Sequence, residues 1–111
     1  MGDDHVVLRA LGEAVAPPAA GILSRTLHEE PGLRLVMFGF AAGEELSEHT
    51  SSRAALIQVL VGRLSLSLGG TPYEVGPDDW VRMAPGLAHA VRADEPAVML
   101  LTLLDGSTAE D

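Results

Sequence analysis

The sequence predicts an all-β protein, a single jelly-roll β-barrel, and three observations carry that expectation. At least six short apolar runs follow one another between turn signals roughly every 8 to 12 residues, the spacing of a sandwich or barrel. One run, RLSLSLGG, alternates strictly, putting Leu64, Leu66 and Leu68 on one face and Arg63, Ser65 and Ser67 on the other. The chain has 111 residues, enough for one domain with one core and too few for two.

Residues 1–20 read as an N-terminal arm, because AVAPPAAG bars both a continuous helix and a central strand; LRALGEAVA has room for a turn or two of helix. The barrel is expected over 21–105. It opens with strand-like runs at 22–28 and 33–40 on either side of EEPG, a hairpin signal. AAGEELSEH reads as a polar connection, and ALIQVLVG and RLSLSLGG as the next strands. GGTP closes the second of these; YEV, WVRM and AHAVRA are shorter strand-like runs, and GPDD breaks the chain before Trp80. Asp78 and Asp79 are suited to form that turn through side-chain to backbone hydrogen bonds. AVMLLTLL suits a helix by propensity, yet the strand spacing of its surroundings assigns it to the sheet. Residues 106–111 form an acidic tail.

Composition excludes several function classes. Cysteine and lysine are both absent, which removes disulfides, thiolate nucleophiles, cysteine-held zinc and Schiff-base chemistry. A formal charge of −9 with seven scattered arginines argues against a nucleic-acid surface and an anionic membrane as partners. No apolar run approaches the roughly 20 residues of a bilayer crossing, and the start has no signal-peptide pattern, so a soluble, cytoplasmic protein is expected.

Two stretches carry a more specific signal. In the first, Gly43 is followed by five residues, then His49, and a closing Gly62 ends VLVG; in the second, GPDDWVRMAPGLAHAVRA presents Gly76, Gly86 and His89 in order. Over residues 21–104 the chain thereby resembles the small single-domain cupins of the conserved-barrel, RmlC-like type. That resemblance implies a barrel in which two His and a Glu of the first motif and a His of the second hold one divalent ion. Here Ser51 stands at the second His position, Ala55 at the Glu, Ala84 at the Pro and Ala93 at the final Asn of the second motif. His49 and His89 are what is left of the ligand set, two donors where zinc and catalytic iron sites take three or more. Water, His28 or His5 would have to complete the site.

Regular alternation from an inward His49 puts Ser51, Arg53, Ala55, Ile57, Val59 and Val61 on the same side and Gln58 outside with Leu56 and Leu60. A bulge near residue 54 would reverse this and offer Gln58 as an oxygen ligand. Val81, Met83 and Val91 are expected to point inward, and Trp80, Arg82 and Arg92 outward. The outward Trp80 predicts a covered face, hence a homodimer, with the arm a candidate for exchange between subunits. Arg53 reads either as a solvated residue or as a clamp for a carboxylate.

Three functions follow from the resemblance and these residues. The first is a protein binding a small organic ligand in a mainly apolar barrel interior through His49, Ser51, Arg53 and His89. The second is a metal-dependent oxygenase or isomerase in which His49 and His89 hold iron, manganese, zinc, nickel or copper. The third is a non-catalytic dimeric scaffold or sensor, in which no metal is bound and the two histidines are inert.

Overall fold

The computed structural model describes residues 4–105, so the acidic tail expected at 106–111 lies outside the described residues. Among the described residues nine strands follow one short 3-10 turn at Leu11–Glu13, the only part of LRALGEAVA that coils. They are β1 (Ile22–Glu30), β2 (Leu33–Phe40), β3 (Glu45–His49), β4 (Ala54–Val61), β5 (Leu64–Leu68), β6 (Thr71–Val75), β7 (Trp80–Met83), β8 (His89–Ala93) and β9 (Ala97–Leu104). A five-stranded sheet in the order β1-β2-β9-β4-β7 faces a four-stranded sheet in the order β3-β8-β5-β6, the two-sheet form of a jelly roll, with edges left open rather than fully closed.

Local chemistry explains most of the boundaries. Pro31 and Gly32 alone turn the β1–β2 hairpin, with Gly32 at φ 86°, and the strands run up to them on both sides. Pro72 sits in β6, an edge strand where a missing N–H is tolerated. The loop before β7 is closed as the acidic pair suggested: the Gly76 N–H donates to Asp79 Oδ2 at 2.8 Å. Gly62, the closing glycine of the first motif, has φ 76°, and a Cβ there would stand 2.3 Å from the Pro96 carbonyl oxygen. No other residue fits between β4 and the approach to β9.

The core lies between the sheets. Phe40, Ile57, Leu64, Leu66, Met83, Val91 and Met99 are its buried centre, and Val81 packs against it from β7, so the inward assignments of Val81, Met83 and Val91 hold. Trp80, Arg82 and Arg92 are exposed, as expected. A second, smaller cluster occupies the opposite face of the five-stranded sheet. There Leu11, Ala14 and Val15 of the arm cover Met37, Val98 and Leu100, with Leu27, Leu35 and Leu60 around them. Gly39 lets the arm come this close, since a Cβ on it would meet Val15 Cγ1 at 2.8 Å. Burial on both faces is why β9 can be apolar at almost every position and still be a strand.

Three sequence expectations need correction. AAGEELSEH is not merely a connection, because its second half is β3, an edge strand paired with β8. Its polarity reflects exposure, with only Leu46 packing against the core. Val61 does not continue the inward file of Ala55, Ile57 and Val59: the β4–β9 register shifts between Val59 and Val61, and Val61 is 40% exposed. The file also does not run unbroken from His49, since residues 50–53 leave the strand before β4 begins at Ala54.

Candidate functional site

His49 ends β3 and His89 begins β8, and the two are direct partners across the ladder. Their meeting depends on a bulge. Leu46 pairs with Val91 and His49 with His89, so three residues of β3 span what two residues of β8 span. Without the extra residue, Leu46 and His49 would point to opposite faces; with it, both share the face of Val91 and His89, which is the face turned to the core. The ring centroids lie 4.2 Å apart at an interplanar angle of 59°. His89 is 7% exposed, and His49, at the open edge of its sheet, is exposed, so the pair is reached from solvent on the His49 side.

Both rings are oriented by the backbone in the same way. His49 Nδ1 lies 2.7 Å from the Ser47 carbonyl oxygen, and His89 Nδ1 lies 2.9 Å from that of Leu87. A carbonyl oxygen only accepts, so each Nδ1 carries the proton. In the neutral rings the Nε2 atoms are therefore both lone-pair donors, available to a metal ion or to an incoming O–H or N–H. The segments that carry the rings are tied together as well: the Gly86 N–H donates to the Ser51 carbonyl at 2.8 Å, linking the chain after His49 to the turn before His89. Gly86 has φ 83°, which explains the glycine of the second motif.

The remaining predicted site residues are placed differently. Ser51 works locally, its carbonyl accepting from Gly86 and its hydroxyl from the Arg53 N–H at 3.1 Å. Arg53 is exposed in the segment leading into β4. Ala55 is 2% exposed and part of the core, a methyl group where the family pattern has a carboxylate. Gln58 is exposed, opposite Trp80 in the β4–β7 ladder, on the sheet face away from Ala55 and Ile57; the reversal that would have turned it inward does not occur. His28 and His5 pair with carboxylates instead, His28 Nε2 with Glu30 at 2.6 Å and His5 Nδ1 with Asp4 at 2.5 Å. Both line a cleft of about 460 Å3 between the arm and the five-stranded sheet. Among the described residues no three His, Asp or Glu side chains gather in a metal-binding arrangement.

What sequence reasoning missed was the mechanism of the pairing. The period of two was carried forward from His49, whereas the bulge behind it and the tautomer-setting carbonyls of Ser47 and Leu87 decide what the ring does.

The comparisons with known proteins agree with this architecture. Residues 36–103 match the family model described as Cupin domain. A conserved protein of unknown function from Streptococcus pyogenes has a similar structure, with 27% identity, a TM-score of 0.83, and coverage of 95% of this chain and 92% of that one. A cupin 2 conserved barrel domain protein from Leptotrichia buccalis is 30% identical with a TM-score of 0.80, over 85% of this chain and 46% of its own. A cupin superfamily protein from Desulfitobacterium hafniense, at 20% identity, shares the fold with a TM-score of 0.82 over 95% and 94% of the two chains. No curated protein matches this chain.

Proposed function

This chain belongs to the cupin domain family, and from that premise we propose that it binds a small organic molecule at the paired imidazoles of His49 and His89. One observation carries the reading: each ring gives its Nδ1 proton to a backbone carbonyl, leaving the Nε2 lone pair of each for a ligand on rings whose centroids stand 4.2 Å apart. The ligand would enter at the open edge beyond His49 and rest against Leu46, Leu68, Leu87 and Val91. Leu46 and Val91 are cross-strand partners on the histidines' own face, and Leu68 pairs with His89 from the other side. Arg53 and Ser51 flank the entrance in this reading, and Arg53 supplies charge there rather than a fixed contact.

The donor set does not fit a metal centre built from three or four protein ligands. Two imidazoles are suitable donors, but Ala55 is a buried methyl and the Ser51 hydroxyl is engaged with Arg53 N–H. The proposed function therefore involves no step at a metal. A metal-dependent oxygenase or isomerase, and a scaffold with an inert barrel, are the competing outcomes of the test. Untagged protein is melted with a panel of small carboxylates and phenols, and separately with iron, manganese, zinc, nickel and copper, alongside His49→Ala. Melting shifts from organic ligands alone that vanish in His49→Ala support the binding function. One equivalent of metal held through both histidines would instead favour the enzyme, and indifference to every addition the scaffold.

We also propose a homodimer. Trp80 is 60% exposed on β7, the edge strand of the five-stranded sheet, and Leu23 on the opposite edge strand is 48% exposed, apolar surface of the kind that subunit contacts bury. Sedimentation velocity of the wild type and of Trp80→Ser decides it: a dimer that dissociates on substitution supports this surface, and a wild-type monomer removes it.

A further inference from the structure

The orientation of the two rings restricts what kind of molecule the site accepts, an inference that rests on the binding function proposed above. In the neutral pair both Nε2 atoms are hydrogen-bond acceptors, and neither ring has a donor left, because each Nδ1 proton is already given to a carbonyl. Among the described residues no carboxylate is hydrogen-bonded to either ring, and the cation this site offers is Arg53 at its entrance. A carboxylate ligand has acceptors only. At the neutral pair it would meet two lone pairs, so it would be held by Arg53 at the entrance or by a ring that had taken up a proton, not by the pair as oriented. A ligand with one hydroxyl satisfies one Nε2 and strips water from the other without replacing it.

Two donors on neighbouring atoms remove that conflict. The rings are adjacent on one face, their strands are paired, and the Gly86–Ser51 hydrogen bond ties together the segments next to them, so the acceptor pair is preorganised. The surroundings on that face are aliphatic, with Leu46, Leu68 and Val91 beside the histidines, which suits a flat or compact apolar body. We infer that the site recognises a vicinal pair of hydroxyl groups, one donating to His49 Nε2 and the other to His89 Nε2, on a ligand whose remainder is apolar, as in an ortho-diphenol.

Catechol, resorcinol, phenol and benzoate serve as probes, titrated by calorimetry under anaerobic conditions with a chelator present so that no metal bridges the pair. Catechol should bind about tenfold or more tightly than resorcinol or phenol, the worth of one additional satisfied hydrogen bond. His49→Ala, at an exposed position, should lose that advantage while keeping its melting temperature; His89→Gln, which keeps a polar side chain at the buried position, should lose it too. Long-range 15N–1H spectra should show both rings protonated at Nδ1, with the two Nε2 resonances moving when catechol is added.

Several results would overturn the inference. Resorcinol or benzoate binding as well as catechol through His49 would remove the vicinal requirement while leaving ligand binding at the pair intact. Catechol binding that returns only when the chelator is replaced by a divalent metal would replace direct hydrogen bonds with a metal bridge. Catechol that fails to bind at millimolar concentration would end the inference, and the wider panel of carboxylates and phenols would still decide whether the pair binds anything.

Discussion

On the five-stranded sheet, the outer face carries Leu35, Met37, Val98 and Leu100, and the arm lies over it through Leu11, Ala14 and Val15. On the four-stranded sheet, the outer face carries Ser65, Arg92 and Glu74, with the Ser65 hydroxyl within hydrogen-bond distance of the Glu74 and Asp94 carboxylates, and Arg92 paired with Asp94 at 3.1 Å. The inner faces of the two sheets are alike and build one core. The difference outside appears directly in the strands: β9 reads AVMLLTLL because both of its faces are buried, and β5 reads LSLSL because one is wet. An apolar strand without alternation therefore signals a second cover, here supplied by the chain's own first residues.

The most severe way to break this contrast is Val98→Asp, which puts an unpaired carboxylate under the arm at a position with 0% exposure. A loss of about 3–5 kcal/mol is expected in denaturant unfolding, a large part of the stability of a domain this size. Ser67→Asp, on the outer face of β5, should cost under about 1 kcal/mol. Equal effects at the two positions would mean that the arm does not cover the sheet in solution.

Gly39→Ala tests the arm more gently. Its methyl would press on Val15 and on the Ala16 carbonyl, and a cost of about 1–3 kcal/mol should appear together with faster proteolysis and amide exchange within residues 4–16. Val15→Ala removes apolar area from the same contact at about 1–2 kcal/mol. The smallest effect belongs to Arg25→Ala: its Nη1 donates to the Ala14 carbonyl at 3.1 Å from an exposed position, so about 0.5–1 kcal/mol should be lost, seen as a melting shift of a few degrees.

Much of the site was readable and its geometry was not. The two histidines stood in recognisable motifs, and the motif glycines at 62 and 86 are where the backbone needs positive φ. Gln58 was placed outward by alternation counted from His49, and it is outward because Ala55, Ile57 and Val59 face the core on the other side of β4. Alternation failed where the chain left the ladder, at Arg53 in the segment before β4, and where the strand's phase was reset by its partner, at the shift between Val59 and Val61. A bulge is a mismatch between two ladders, so neither strand's own residues specify it. Strand β3 was missed for a related reason: as an exposed edge it has little apolar pattern to show, and its pairing with β8 is what makes it a strand.

The residues alone determined the all-β class, the cupin pattern, the order of most strands and the presence of two histidines in place of four ligands, because periodicity, turn chemistry and motif spacing are local properties. Only the tertiary structure decided that the arm seals the outer face of one sheet. It also decided that three residues of β3 oppose two of β8, and that the two rings consequently stand 4.2 Å apart with matching tautomers. Those outcomes depend on contacts between segments forty residues apart at the histidines and more than eighty apart between arm and β9, where each strand's conformation is set by what it packs against rather than by its own sequence.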